Sequence, residues 1–77
     1  MFEVKLEVKL PLNEILTEKE TRVLQLLANG MSNKEIAHHL NITGETVKWH
    51  IKNVYGKLEI KNRVQALQCA KELKLLI

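Results

Sequence analysis

Three helix-start signals in close succession constrain this chain more than any other feature. Thr17 and Glu20 stand three residues apart, Ser32 and Glu35 repeat that spacing, and Thr43 opens a third segment. In each of the two pairs the hydroxyl can accept a backbone N–H of the first helical turn, while the carboxylate accepts the N–H of the cap residue. The chain is therefore predicted to form short consecutive helices.

Apolar residues recur at three- and four-residue intervals between these signals, which is the pattern of amphipathic helices. Gly30 supplies the left-handed residue that commonly ends a helix. The connections are short, as in small helical bundles. We predict an all-α four-helix bundle with helices over residues 18–29, 33–40, 44–58 and 62–74.

The beginning of the chain has a different pattern. Residues 2–10 alternate between apolar and charged side chains, which is the period of a strand, and Pro11 ends the run. No second candidate strand is available to pair with it, and a lone strand is not stable in water. We expect residues 1–15 to be an extended N-terminal arm or a linker remnant, and residues 16–77 to form the folded domain.

Size and composition restrict the class of protein. A chain of 77 residues buries only about 60% of its unfolded surface, which leaves little room for an enzyme's substrate pocket. Cys69 is the only cysteine, so no internal disulfide can form, and a reducing cytosol suits such a chain. No apolar run approaches the roughly 20 residues of a membrane span. We expect a cytoplasmic protein that is neither an enzyme nor a membrane protein and that needs no cofactor.

Positive charge is concentrated in the second half of the chain. Residues 1–42 carry five Lys/Arg and six Glu, whereas residues 43–77 carry seven Lys/Arg and three Glu. Nucleic acids are the usual partners of such a patch, and the alternative is a solvated basic face without a partner.

The predicted second and third helices, joined by a three-residue turn, have the plan of a helix-turn-helix. The third helix separates into two faces at about 100° per residue. Its apolar stripe, predicted to face the core, consists of Val47, Ile51, Val54 and Leu58. Its opposite face carries Glu45, Lys48, Trp49, Lys52 and Gly56. The N-terminal half of that face could enter a DNA major groove.

Several of these residue types suit DNA contacts. Lys48 and Lys52 stand one helical turn apart and can reach phosphates or guanine acceptors, and Trp49 can contact a thymine methyl or a sugar. The first turns of both helices offer hydroxyls and free backbone N–H groups to phosphate. The residues predicted to contact the DNA backbone there are Thr46, Ser32, Asn33 and Lys34.

These segments closely resemble the LuxR-type (LuxR/FixJ-like) helix-turn-helix DNA-binding domain over about residues 16–76. The matching stretches are LTE at residues 16–18, MSNKEIA at residues 31–37, TVKWH at residues 46–50, NVYGKL at residues 53–58 and RVQAL at residues 63–67. The final stretch, AKELKLL at residues 70–76, is similar to the branch of MalT-like regulators, which carry this domain at their C-terminus.

The resemblance implies binding of promoter DNA as a homodimer, with Lys48, Trp49 and Lys52 facing the bases. It adds Lys57 and Arg63 as flanking backbone contacts, and it implies pairing through the fourth helix. The surface residues expected at that dimer interface are Val64, Gln68 and Cys69. The chain departs from the family pattern in having Lys19 where Arg is common, and Glu59 and Lys74 where Gly is frequent.

One other function and one further partner stay open. The same bundle could be a protein-interaction module that binds an acidic partner, and RNA polymerase is a candidate partner of a regulator. Glu35 with His38 or His39 gives at most two metal ligands on one helical face, too few for a good site. No catalytic or metal residue is therefore predicted.

Overall fold

The computed structural model describes residues 15–73, which form four helices. They are α1 (Glu18–Ala28), α2 (Asn33–Leu40), α3 (Gly44–Leu58) and α4 (Arg63–Glu72). The predicted all-α bundle is confirmed. The alternating residues 2–10 and the predicted helix end at residue 74 lie outside the described residues; of the predicted arm, only Ile15 is described, and it packs against the core.

All three predicted helix starts are confirmed by hydrogen bonds. The Glu20 backbone N–H donates to Thr17 Oγ1 over 3.1 Å, and the Thr17 N–H donates to Glu20 Oε1 over 3.0 Å. Ser32 and Glu35 exchange the same two bonds at 3.1 and 2.8 Å. Thr43 Oγ1 accepts the Thr46 N–H at 3.1 Å. Each hydroxyl satisfies a donor that its helix cannot pair internally.

The first three helices end on residues with positive φ. Gly30 follows α1 with φ 90°, whereas Asn41 and Glu59 follow α2 and α3 with φ 58° and 56°. Asparagine tolerates this left-handed region, but a glutamate there costs roughly 1–2 kcal/mol. Glu59 therefore adopts the backbone conformation that a glycine would take without strain, and the α3–α4 corner is formed despite the departure from the family pattern.

The predicted helix limits were too generous at three ends. Asn29 lies just beyond α1 as its C-cap, and Leu73 lies just beyond α4. Asn62 lies outside α4 because its side chain accepts the Gln65 N–H at 2.9 Å, which is the contact of an N-cap.

α1 is central to the bundle, because it packs against α3 and α4 while α2 packs against α3. The predicted stripe of α3 faces inward, with Val47 and Val54 fully buried and Ile51 and Leu58 packed at its margin. The core consists of Leu16, Val23, Leu24, Leu26, Leu27, Ile36, Ala37, Val47, Val54, Ala66 and Ala70. Burial of this stripe determines which face of α3 is left on the outside. Within residues 15–73, no helix is long and apolar enough to cross a membrane.

Candidate nucleic-acid interface

A tight turn between α2 and α3 presents the beginning of α3 to solvent. Asn41 reverses the chain in the left-handed conformation, and the Ile42 N–H donates to the Ala37 carbonyl over 3.0 Å. Ala37 is buried in the core, and its small side chain suits the close packing of α2 against α3. The turn ends at Thr43, so α3 begins on an exposed edge of the domain.

The outer face of α3 is defined here as the exposed residues Glu45, Lys48, Trp49, Lys52 and Gly56. Trp49 is 60% exposed, which is unusual for the largest apolar side chain of a small domain. Neither Lys48 nor Lys52 forms an ion pair with another described residue. The outer face thus presents an indole and two ammonium groups to solvent.

The Trp49 ring contacts the ring of the next residue, His50. The rings of Trp49 and His50 lie 5.2 Å apart between centroids, at an interplanar angle of 59°. A tilted arrangement at this distance is favourable for aromatic rings. His50 itself is half-buried beside the stripe, and its Nδ1 is buried without a hydrogen-bond partner among the described residues.

The first turn of α3 contains a pair of hydroxyls. Thr43 Oγ1 and Thr46 Oγ1 lie 2.9 Å apart, and Thr43 Oγ1 also accepts the Thr46 backbone N–H. One hydroxyl proton joins the two oxygens, which leaves the other proton available to an outside acceptor. This arrangement places one O–H donor beside the helix start, where an anion is favoured.

The start of α2 has a similar arrangement. Ser32 and Lys34 are exposed and Asn33 is half-buried. Ser32 Oγ accepts the Glu35 N–H, so the Ser32 hydroxyl proton can donate outward. The three residues predicted to contact phosphate are therefore on an accessible helix start.

Lys57, predicted as a flanking DNA contact, forms an ion pair within the protein. Its Nζ lies 2.7 Å from Oε1 of Glu20, a residue that is only 4% exposed. Burial tends to raise the pKa of the Glu20 carboxyl, but the hydrogen bonds from Lys57 and Thr17 outweigh burial and hold this pKa below its ordinary value. Glu20 was predicted only as part of the capping box, and its pairing with Lys57 was not predicted, because 37 residues separate the partners.

Arg63 is also in contact with its own chain. Its guanidinium donates to the main-chain carbonyl of Met31, which joins the first residue of α4 to the connection before α2. No local sequence pattern indicated this contact. The structure therefore separates the predicted DNA contacts into a group on the helix-turn-helix and two cations, Lys57 and Arg63, that contact other helices or their connections.

The predicted dimer residues lie along α4. Val64 is 68% exposed, Gln68 is exposed one turn further on, and Cys69 is half-buried. Burial, together with the carboxylate of Glu72, raises the pKa of the Cys69 thiol. Val64 is thus an apolar side chain exposed on α4.

The histidines of α2 are not part of a metal cluster in the described part of the chain. No group of three or more His, Cys, Asp or Glu residues occurs there with metal-ligating geometry. His38 and His39 are exposed, and His39 Nε2 lies 3.5 Å from a guanidinium nitrogen of Arg22.

Comparisons with known proteins agree with this geometry. The family described as bacterial regulatory proteins, luxR family, matches residues 14–70. The HTH-type transcriptional regulator MalT of Vibrio cholerae is 50% identical over 58 residues, which is 75% of this chain and 6% of that protein. The response regulator protein VraR of Staphylococcus aureus is 44% identical over 63 residues, which is 82% of this chain and 30% of that protein. A VraR from Staphylococcus saprophyticus matches to the same extent.

The chain thus spans less than a third of the length of these relatives. The family match nevertheless covers most of the chain and includes all four helix starts together with the outer face of α3. It confirms the resemblance inferred from the motifs, and the family consists of DNA-binding regulators rather than enzymes. On this basis the protein belongs to the luxR family of bacterial regulatory proteins and contains their helix-turn-helix DNA-binding domain.

Proposed function

We propose that residues 16–77 bind double-stranded promoter DNA in a sequence-specific manner, as the output domain of a cytoplasmic bacterial transcription regulator, with α3 in the major groove. The observation that supports this most directly is the outer face of α3. An exposed indole stands there between two lysines without ion-pair partners among the described residues, on a helix whose other side is buried.

The dimensions of α3 suit the groove. A B-DNA major groove is about 12 Å wide and admits one α-helix. Lys48 and Lys52 stand four residues apart, so their Cα atoms are separated by roughly 6 Å along the axis. Lysine ammonium groups can donate to the O6 and N7 acceptors of guanine, and Trp49 offers apolar surface to a thymine methyl. These three residues form the proposed base-facing set.

Two helix starts would position the domain on the DNA backbone. Thr46 at the start of α3, and Ser32, Asn33 and Lys34 at the start of α2, present donors to phosphate. Partial positive charge at helix N-termini strengthens such contacts. Phosphate contacts fix the orientation of a domain on the duplex and carry no sequence information.

A homodimer through α4 would strengthen binding. Val64, Gln68 and Cys69 form the proposed interface, and the exposure of Val64 supports this assignment. Two domains related by a two-fold axis would contact half-sites about 34 Å apart, one turn of DNA. RNA polymerase is the further partner that we propose for a regulator acting at promoters.

Tryptophan emission gives a direct test, since Trp49 is the only tryptophan. Its emission should change when a duplex selected from a random pool is added at low salt, and the change should be reversed at high salt because counterions are released on binding. Lys48→Glu or Lys52→Glu should abolish the change while the helical circular dichroism stays at its wild-type value.

Lys19→Glu is the matched control, because it alters net charge equally at an exposed position of α1, outside the proposed DNA and dimer contacts. Wild-type affinity in Lys48→Glu or Lys52→Glu would contradict the proposed docking. A wild-type chain that responds to no duplex would contradict DNA binding and favour a module that binds an acidic protein.

A further inference from the structure

We infer that Lys57 is a positioning residue for DNA binding, which acts through its ion pair with Glu20 and makes no contact with phosphate. This inference rests on the proposed function. It differs from the family-based expectation for Lys57 and assigns Glu20, on a helix outside the helix-turn-helix, to the same task.

The pair joins the beginning of α1 to the end of α3. Glu20 is in the first turn of α1 and Lys57 is in the last turn of α3. The same carboxylate oxygen, Glu20 Oε1, accepts the Thr17 N–H at 3.0 Å and the Lys57 ammonium at 2.7 Å. The capping box therefore fixes the position of the Glu20 carboxylate independently of Lys57. The ion pair to this fixed group constrains the position of the end of α3.

Burial makes this contact difficult to exchange for a phosphate. The side chain of Glu20 is 6% exposed, whereas that of Lys57 is 41% exposed. If Lys57 left to contact DNA, it would leave a buried carboxylate without its cationic partner, and such a loss is unfavourable. A free surface lysine has no comparable cost.

The direction of Lys57 on α3 leads to the same conclusion. At about 100° per residue, Lys57 stands roughly 140° from Lys52 and 180° from Lys48 around the helix axis. It lies closer to the buried Val54, at about 60°. Because Trp49 is about 80° away on the other side, Lys57 is thus on the flank between the stripe and the outer face, where it reaches Glu20 of α1 and is turned away from both lysines of the outer face.

Without the pair, the end of α3 would be free to shift relative to α1, and the outer face would shift with it. Groove contacts depend on such alignment, because a displaced helix cannot keep both lysines and the indole in register with the bases. Neutralising either partner should therefore weaken duplex binding through the orientation of α3.

The experiment measures duplex affinity over a salt series for the 77-residue chain and its variants Lys57→Met and Glu20→Gln. The slope of log K against log salt is negative, and each lost phosphate contact lowers its magnitude by about 0.9. We expect both variants to bind about 3- to 10-fold more weakly with an unchanged slope, a range corresponding to loss of a modest positional constraint. Lys19→Met is the control for loss of an exposed lysine, because Lys19 is on α1 and outside the proposed DNA and dimer contacts.

Glu20→Gln supplies the sharper readout. Removing an acidic group raises the positive charge of the domain, so electrostatics alone would strengthen DNA binding. If Glu20 positions α3, Glu20→Gln should instead weaken DNA binding. The double variant Glu20→Gln/Lys57→Met should bind no more weakly than the weaker single variant, because both changes break one contact.

Lys57→Arg keeps the cation and should retain most of the wild-type affinity for the duplex. This variant also tests the inference if Lys57→Met fails to fold. A slope reduced by about 0.9 in Lys57→Met, or unchanged affinity in folded Glu20→Gln, would overturn the inference while leaving DNA binding intact. Failure of the wild-type chain to bind any duplex would overturn the proposed function and this inference with it.

Discussion

The two faces of α3 belong to one helix of fifteen residues but differ in burial, polarity and charge. On the inner face Val47 and Val54 are 0% and 1% exposed, whereas on the outer face Trp49 is 60% exposed. Apolar burial on one side contributes to the free energy of folding, whereas the solvated lysines and exposed indole on the other side contribute little to it. Stability and the proposed recognition are therefore assigned to different side chains of one helix, and substitutions should separate them.

The largest expected effect on the free energy of unfolding comes from placing an aspartate on the buried face, and the same residue on the outer face serves as the comparison. Val54→Asp would bury a carboxylate with no prepared partner, and we expect a loss of more than about 3 kcal/mol in the free energy of unfolding. For a domain of this size the melting temperature should fall by about 12 °C or more. Thermal unfolding followed by circular dichroism measures it.

Lys52→Asp is the matched substitution on the exposed side. It should change the free energy of unfolding by less than about 0.5 kcal/mol, as is usual for surface positions. Equal destabilisation by the two substitutions would show that the faces are not energetically distinct.

Trp49→Ala tests the outer face without changing its charge. If the indole contacts DNA, affinity should fall about ten-fold, or roughly 1.4 kcal/mol. The melting temperature should stay near the wild-type value because the ring is mostly exposed. Fluorescence anisotropy of a labelled duplex measures the affinity. A large loss of stability with unchanged affinity would reverse the proposed role of the indole.

Lowering the pH should destabilise the fold through protonation of Glu20. Because its pKa is lowered in the folded chain, the ion pair contributes fully above the ordinary glutamate pKa of about 4.5. Its contribution is lost as pH falls through the lowered folded value. At neutral pH, Glu20→Gln should cost about 1 kcal/mol, since the exposed ammonium of Lys57 is partly screened.

Urea unfolding at a series of pH values should show a smaller loss of stability with acid for Glu20→Gln than for wild type. Other carboxylates contribute equally to both chains, so the difference isolates Glu20. Parallel acid profiles would show that the carboxylate is not stabilised by folding.

The smallest expected change in the free energy of unfolding concerns Glu59, the residue that follows both faces at the end of α3. Glu59→Gly should raise the free energy of unfolding by about 0.5 kcal/mol, because relief of the left-handed strain exceeds the backbone entropy cost of glycine. Asn41→Gly is the control at the equivalent position after α2, and it should change stability little because asparagine tolerates this conformation. Neither substitution touches the outer face, so duplex affinity should be unchanged in both.

Local chemistry made the helices predictable. A capping box is complete within four residues, so Thr17 with Glu20 and Ser32 with Glu35 predicted their helix starts without knowledge of the rest of the chain. Amphipathic periodicity likewise identified the buried stripe and the outer face of α3, because helical geometry alone decides which positions share a face.

The helices, the turn before α3 and the candidate recognition surface were thus predictable from local sequence patterns. The positions of Lys57 and Arg63 were not, because these residues contact Glu20 and the Met31 carbonyl across 37 and 32 residues. These contacts depend on how whole helices cross, and crossing is set by the packing of the entire core rather than by any local pattern. The same cation can face a carboxylate or open solvent depending on that packing.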